Sequence, residues 1–120
     1  MDRAKFEELV REAVAGLPKF FRDRLENVAI IIADYPGPEV QGPGRKRGIL
    51  GLYHGVPLPR RTVWARYPLP DMIYIYQKNI EAICRGEEEI KAQVQETVIH
   101  ELGHYFGLSD AEIARIKLER

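Results

Sequence analysis

The sequence predicts an α+β domain, and three observations carry that prediction. Segments with apolar residues at three- and four-residue spacing lie at both ends of the chain. Between them stand three short runs rich in β-branched and aromatic residues. Proline- and glycine-rich stretches separate those runs from one another. With 120 residues, 45% of them hydrophobic, the chain suits one domain over 1–120 with a single core and leaves no room for a second.

The elements follow in order. Phe6, Leu9, Val10, Ala13 and Val14 form a helical apolar stripe over residues 2–15, and Gly16 with Pro18 ends it. A short helical piece spans 19–25. Residues 28–33, VAIIIA, are a continuous apolar run bounded by a Pro/Gly cluster, the pattern of a buried strand. The stretch 35–48 carries four glycines and three prolines and reads as an exposed loop, with Arg45, Lys46 and Arg47 at its tip. Residues 48–55 and 71–77 are the second and third strands. In the latter, Met72, Tyr74 and Tyr76 fall on one face and Ile73 and Ile75 on the other. The four prolines between these strands demand an irregular or edge segment. A short helix over 79–85 is stopped by Gly86. The last long helix begins near Glu87, where three glutamates complement the positive end of its dipole. It is expected to run to Phe106, with Val94, Val98, Leu102 and Phe106 as its core stripe. Gly107 supplies a left-handed turn, and Ser109 with Glu112 forms a capping box for a final helix to about residue 117.

Composition narrows the function. Eighteen basic and eighteen acidic residues cancel, which removes the charge excess that would point to nucleic acid or an anionic membrane as main partner. No apolar run approaches the roughly 20 residues of a membrane helix, and the N-terminus lacks the apolar segment of a signal peptide. Cys84 is alone, so no intrachain disulfide forms and a cytoplasmic location is the expectation. That thiol reads as a small buried hydrophobe.

The informative stretch is 97–110, TVIHELGHYFGLSD. At roughly 100° per residue, His100 and His104 lie almost above one another on a helix, off its core stripe, and can offer two imidazole nitrogens to one ion. Gln93 and Glu96 share that side. Zinc accepts such nitrogens at about 2.0–2.1 Å, usually in a tetrahedral shell. Glu101 is placed to reach a water at the ion but poorly placed to be a ligand itself. Gly107 lets the chain return so that Asp110 can be the third ligand. Asp110 also has a metal-free explanation, as an acid at the start of the last helix. Random order produces H-E-x-x-H in only about half a per cent of chains with this composition, and the added Gly107 and Asp110 lower that further.

These residues resemble the short bacterial zincin-like metallopeptidases, minimal metzincin-like proteins with the pattern HExxHxxGxxD. The resemblance runs from about residue 28 onward and rests on GLYHGVPL (51–58), LPDMIYIYQKNI (69–80) and TVIHELGHYFGLSD (97–110). It implies a zincin-like fold: a small, mostly antiparallel sheet packed against helices, with a C-terminal active-site helix beneath a cleft. It also implies Zn2+ as cofactor, with His100, His104 and Asp110 as ligands and Glu101 as catalytic base.

The reading is therefore metal-assisted hydrolysis of a peptide bond, with a peptide or protein as partner. His54, Tyr74, Tyr76 and Arg61 are candidates for the missing oxyanion-stabilising donor, and strand 48–55 for pairing with an extended substrate. The alternative is a small metal-binding adaptor or structural protein without peptidase activity. Three clear ligands rather than four favour the open, catalytic kind of site.

Overall fold

The computed structural model describes residues 1–40, 48–55 and 70–118. In chain order the elements are α1 (Arg3–Ala15), α2 (Lys19–Arg24), β1 (Val28–Ala33), β2 (Gly51–His54), β3 (Asp71–Tyr76), α3 (Gln77–Ile83), α4 (Glu87–Tyr105) and α5 (Asp110–Leu118). This is the α+β arrangement that the patterning predicts. The loop tip at Arg45–Arg47 and Arg61 lie outside the described residues.

The strands form one sheet in the order β1-β3-β2. β2 runs antiparallel to β3, with Tyr53 opposite Ile73, whereas β1 runs parallel to β3, with Ile30 opposite Ile73. The antiparallel character expected of the sheet thus lies in the β2–β3 pair. A parallel pair needs a crossover connection, and here β2 is part of the chain that intervenes between β1 and β3.

Strand order also decides burial. β3 is central, and Ile73, Ile75 and Tyr76 are fully buried. β1, expected to be a buried strand, is half-buried along its whole length, because among the described residues it pairs on one side only. Ile30 and Ile32 line a groove of about 460 Å³ against Val10 and Val14 of α1.

The core lies between α1, the sheet and α4. Phe6, Leu9, Val10 and Ala13 of α1 meet Ile90, Val94, Val98 and Leu102 of α4. Each of these side chains larger than alanine contributes about 1.5–3 kcal/mol when taken fully from water. Asp2 caps α1 by accepting the Lys5 N–H at 2.8 Å. The buried Gln77 is fully engaged: it accepts from Arg3 Nε at 2.7 Å and donates to the Met1 carbonyl and to Glu81, so its burial is compensated. α3 starts at Gln77, directly after β3, two residues earlier than the expected 79. Cys84 is half-buried rather than buried, and its thiol is pushed up from its ordinary pKa by burial and then by Glu89.

One member of the expected stripe does not belong to the core. Phe106 is half-exposed, because α4 ends at Tyr105 and Phe106 is its C-cap. A row spaced by four residues drifts by roughly 40° per step around a helix, so by its fourth member it has left the packed side. No helix among the described residues is long and apolar enough to cross a membrane.

Candidate metal centre

The site is built on the side of α4 that the core does not use. His100 and His104 stand one turn apart, with ring centroids 5.8 Å from each other and planes inclined by 59°. The chain then has to reverse at once for Asp110 to join them. Gly107 adopts φ +76°, a conformation that costs other residues about 1–2 kcal/mol. Its N–H donates to the His104 carbonyl at 3.0 Å, and the Leu108 N–H donates to the Gly103 carbonyl at 2.9 Å. These two bonds make a Schellman stop. Ser109 and Glu112 then cap α5 reciprocally: the Ser109 N–H donates to Glu112 Oε1 at 3.0 Å, and the Glu112 N–H donates to Ser109 Oγ at 3.1 Å. The Ser109 backbone N–H, and after it the Ser109 side chain, hold the Glu112 carboxyl below its ordinary value.

Asp110 is the first residue of α5, as its metal-free reading requires, and it also reaches the histidines. Its Oδ1 lies 3.1 Å from His104 Nε2. One donor atom from each of His100, His104 and Asp110 falls within a 4.8 Å span. Zinc bonds of 2.0–2.1 Å at tetrahedral angles put neighbouring donors roughly 3.3 Å apart. The His104–Asp110 edge already has that length. The remaining closure needs only rotation of side chains that are 45, 56 and 82% exposed. Two imidazoles and a carboxylate are also the donor set that zinc takes in open sites. The residues present fit a zinc ion.

Glu101 is held from the sheet. Its Oε1 accepts the backbone N–H of Tyr53 in β2 at 3.0 Å. β2 comes this close because Gly51 has no side chain: a Cβ there would stand 2.5 Å from Thr97 Cγ2 of α4. One edge donor of the strand expected to pair with substrate is therefore engaged by the Glu101 carboxylate. Tyr53 is also held through its side chain. Its ring stacks on Tyr105 with centroids 3.9 Å apart, and its hydroxyl donates to Asp71 at 2.6 Å. Sequence reasoning missed Tyr53 and Tyr105. The one available signal was that Tyr105 directly follows the second histidine.

A groove of about 320 Å³ opens between β2 and α4, walled by Leu50, Gln93 and Thr97 and bordered by Glu96, His100 and Glu101. Glu96, one turn before His100, touches it: Oε2 lies 3.3 Å from His100 Nε2, while Oε1 takes the Lys117 ammonium of α5.

The expected oxyanion donors fare unevenly. Tyr76 donates its hydroxyl to Glu39 at 3.0 Å, and burial, then that carboxylate, pushes its phenol far above the usual value. Tyr74 directs its hydroxyl to Met72 Sδ at 3.8 Å. His54 ends β2 opposite Met72.

The geometry agrees with what similarity to known proteins shows. The family model of zincin-like metallopeptidases matches residues 25–120, and the chain belongs to that family. Among solved structures it is similar to a conserved hypothetical protein from Thermo thermophilus. The two share 26% identity over 88% of this chain and 94% of that one, with a TM-score of 0.54. No curated protein matches. The fold is thus zincin-like, and the family implies a metal ion, typically zinc, for which His100, His104 and Asp110 form a suitable cluster.

Proposed function

We propose that the protein is a zinc-dependent peptidase, with His100, His104 and Asp110 holding the ion and Glu101 as general base. The observation that carries this reading is the convergence of three donor atoms beside a carboxylate that the sheet holds in place, at the mouth of a groove. Zinc, when bound, supplies a Lewis acid that polarises the scissile carbonyl and lowers the pKa of water to near 7. Glu101 takes the proton of the attacking water and returns it to the leaving amine. The Tyr53 N–H fixes the orientation of that carboxylate, so little reorganisation precedes proton transfer. Leu50, Gln93 and Thr97 line the place where the peptide lies. The lone Cys84 is consistent with a reducing, cytoplasmic setting.

Glu101→Gln tests the reading. Peptide-library turnover is expected to fall about 100- to 10,000-fold, while zinc content by mass spectrometry stays at the parent's level. Full turnover in the variant with zinc in place would remove Glu101 from the mechanism.

A second reading, metal binding without peptidase activity, is favoured by the exposure of all three ligand side chains. A catalytic site gains from excluding water. The same library assay separates the two, because that reading predicts zinc in the parent and no cleavage.

A further inference from the structure

We infer that Glu96 selects substrates with a positively charged nitrogen beside the scissile bond, and that Lys117 holds that place when no such substrate is bound. The inference rests on the peptidase reading above and names the substrate class of the same site.

The groove at His100 and Glu101 continues along α4 into a second hollow of about 240 Å³ that reaches Cys84 and Glu89. Gln93 and Glu96 line both parts, so Glu96 stands where they join. Glu89, Glu96 and Glu101 give the lining its charge, and no lysine or arginine lines either part among the described residues. A peptide lying in this groove passes a carboxylate one helical turn before the first histidine.

The two oxygens of that carboxylate have different neighbours. Oε1 carries the ammonium of Lys117 from α5, and Oε2 lies 3.3 Å from His100 Nε2. A histidine nitrogen that holds a metal carries no proton, so with the site loaded through this nitrogen Oε2 stands next to the reacting centre without a donor from His100. Lys117 already shows which chemistry Oε1 accepts. Its side chain is 36% exposed and Glu96 is 41% exposed, and ion pairs of that kind contribute at most about 1 kcal/mol. A substrate cation can therefore displace Lys117. Two chemical sources supply such a nitrogen: a lysine or arginine side chain, or the free amine of a substrate's first residue.

The test uses the zinc-loaded protein carrying Glu101→Gln, which prevents turnover, and calorimetric titration at low salt. Three pentapeptides serve as probes: acetylated with a central lysine, acetylated with norleucine there, and the norleucine peptide with its amine free. One of the two cationic peptides is expected to bind about fivefold tighter than the acetylated norleucine peptide, and which one identifies the source. Adding Glu96→Gln is expected to abolish the preference. Adding Lys117→Ala is expected to enlarge it. Equal affinity for all three peptides overturns the inference, as does loss of zinc from the Glu96→Gln protein, which would make the carboxylate a metal ligand instead. Turnover by the parent enzyme is read separately. A cation preference without any cleavage sinks the peptidase reading alone, and cleavage without a preference sinks this inference alone.

Discussion

The two sides of α4 obey different rules. Its back presents Val94, Val98 and Leu102, all fully buried against α1 and the sheet. Its front presents Glu96, His100 and His104, all substantially exposed. One helix thus separates what holds the molecule together from what it offers to a ligand. The back gains by removing apolar area from water. The front must keep its nitrogens accessible, and it contributes little to stability until something binds.

Substitutions on the two sides should therefore separate stability from metal binding. Leu102→Ala removes a fully buried side chain, and a loss of about 2–5 kcal/mol in denaturant unfolding is expected, with folded molecules still taking up zinc. His104→Ala is the converse. Zinc affinity measured against a chelator is expected to fall at least about 100-fold, while unfolding of the metal-free protein changes by no more than about 0.5 kcal/mol. A large stability loss in the metal-free His104→Ala protein would show that the front face is structural after all.

Gly103 lies on the boundary between the sides. A Cβ there would meet Ile113 of α5 at 2.6 Å, and Ile113 is buried. Overpacking costs about 1–3 kcal/mol, and the better helix propensity of alanine returns about 1. Gly103→Ala should thus destabilise by about 1 kcal/mol. It should weaken zinc binding as well, because Asp110 is carried by the helix that has to move. Unchanged affinity would mean that Asp110 does not depend on α5 for its position.

The smallest effect is expected at Tyr76. With its hydroxyl on Glu39, Tyr76→Phe should leave turnover within about twofold, since loss of a true oxyanion donor costs about 100-fold or more. Its raised folded pKa fixes the sign of its pH effect. The stability it lends is complete below its ordinary value of 10.0 and is lost as pH rises beyond it. Unfolding measured at pH 9 and pH 11 in parent and variant checks this.

The sequence made the local parts legible and the distant ones not. His100, His104, Gly107, Ser109 and Asp110 lie within one helix, its stop and the next cap, so helical spacing and turn chemistry were enough to bring them together. The α+β class followed from three short apolar runs among helical stripes. Strand order was not readable, because it depends on how β2 and β3 pair and not on either run alone. That is why the apolar run at 28–33 looked like a buried strand and turned out half-buried. Phe106 was misplaced because spacing says which face a residue occupies and not where the neighbouring element stops. The Tyr53 N–H on Glu101 and the Lys117 contact with Glu96 join elements distant in sequence, and no local pattern signals them.

The Tyr53 contact has a consequence for the order of events as the protein is made. The three proposed ligands sit within residues 100–110, so gathering them closes only small loops and costs little chain entropy. The contact that orients Glu101 spans 48 residues and must wait for β2 to dock on α4, a long-range and slower step. Capture of an ion by these three residues can precede completion of the fold, whereas the proposed peptidase activity, which depends on an oriented Glu101, cannot. On that proposal, a chain that takes up metal early stays harmless to its neighbours until the sheet is in place.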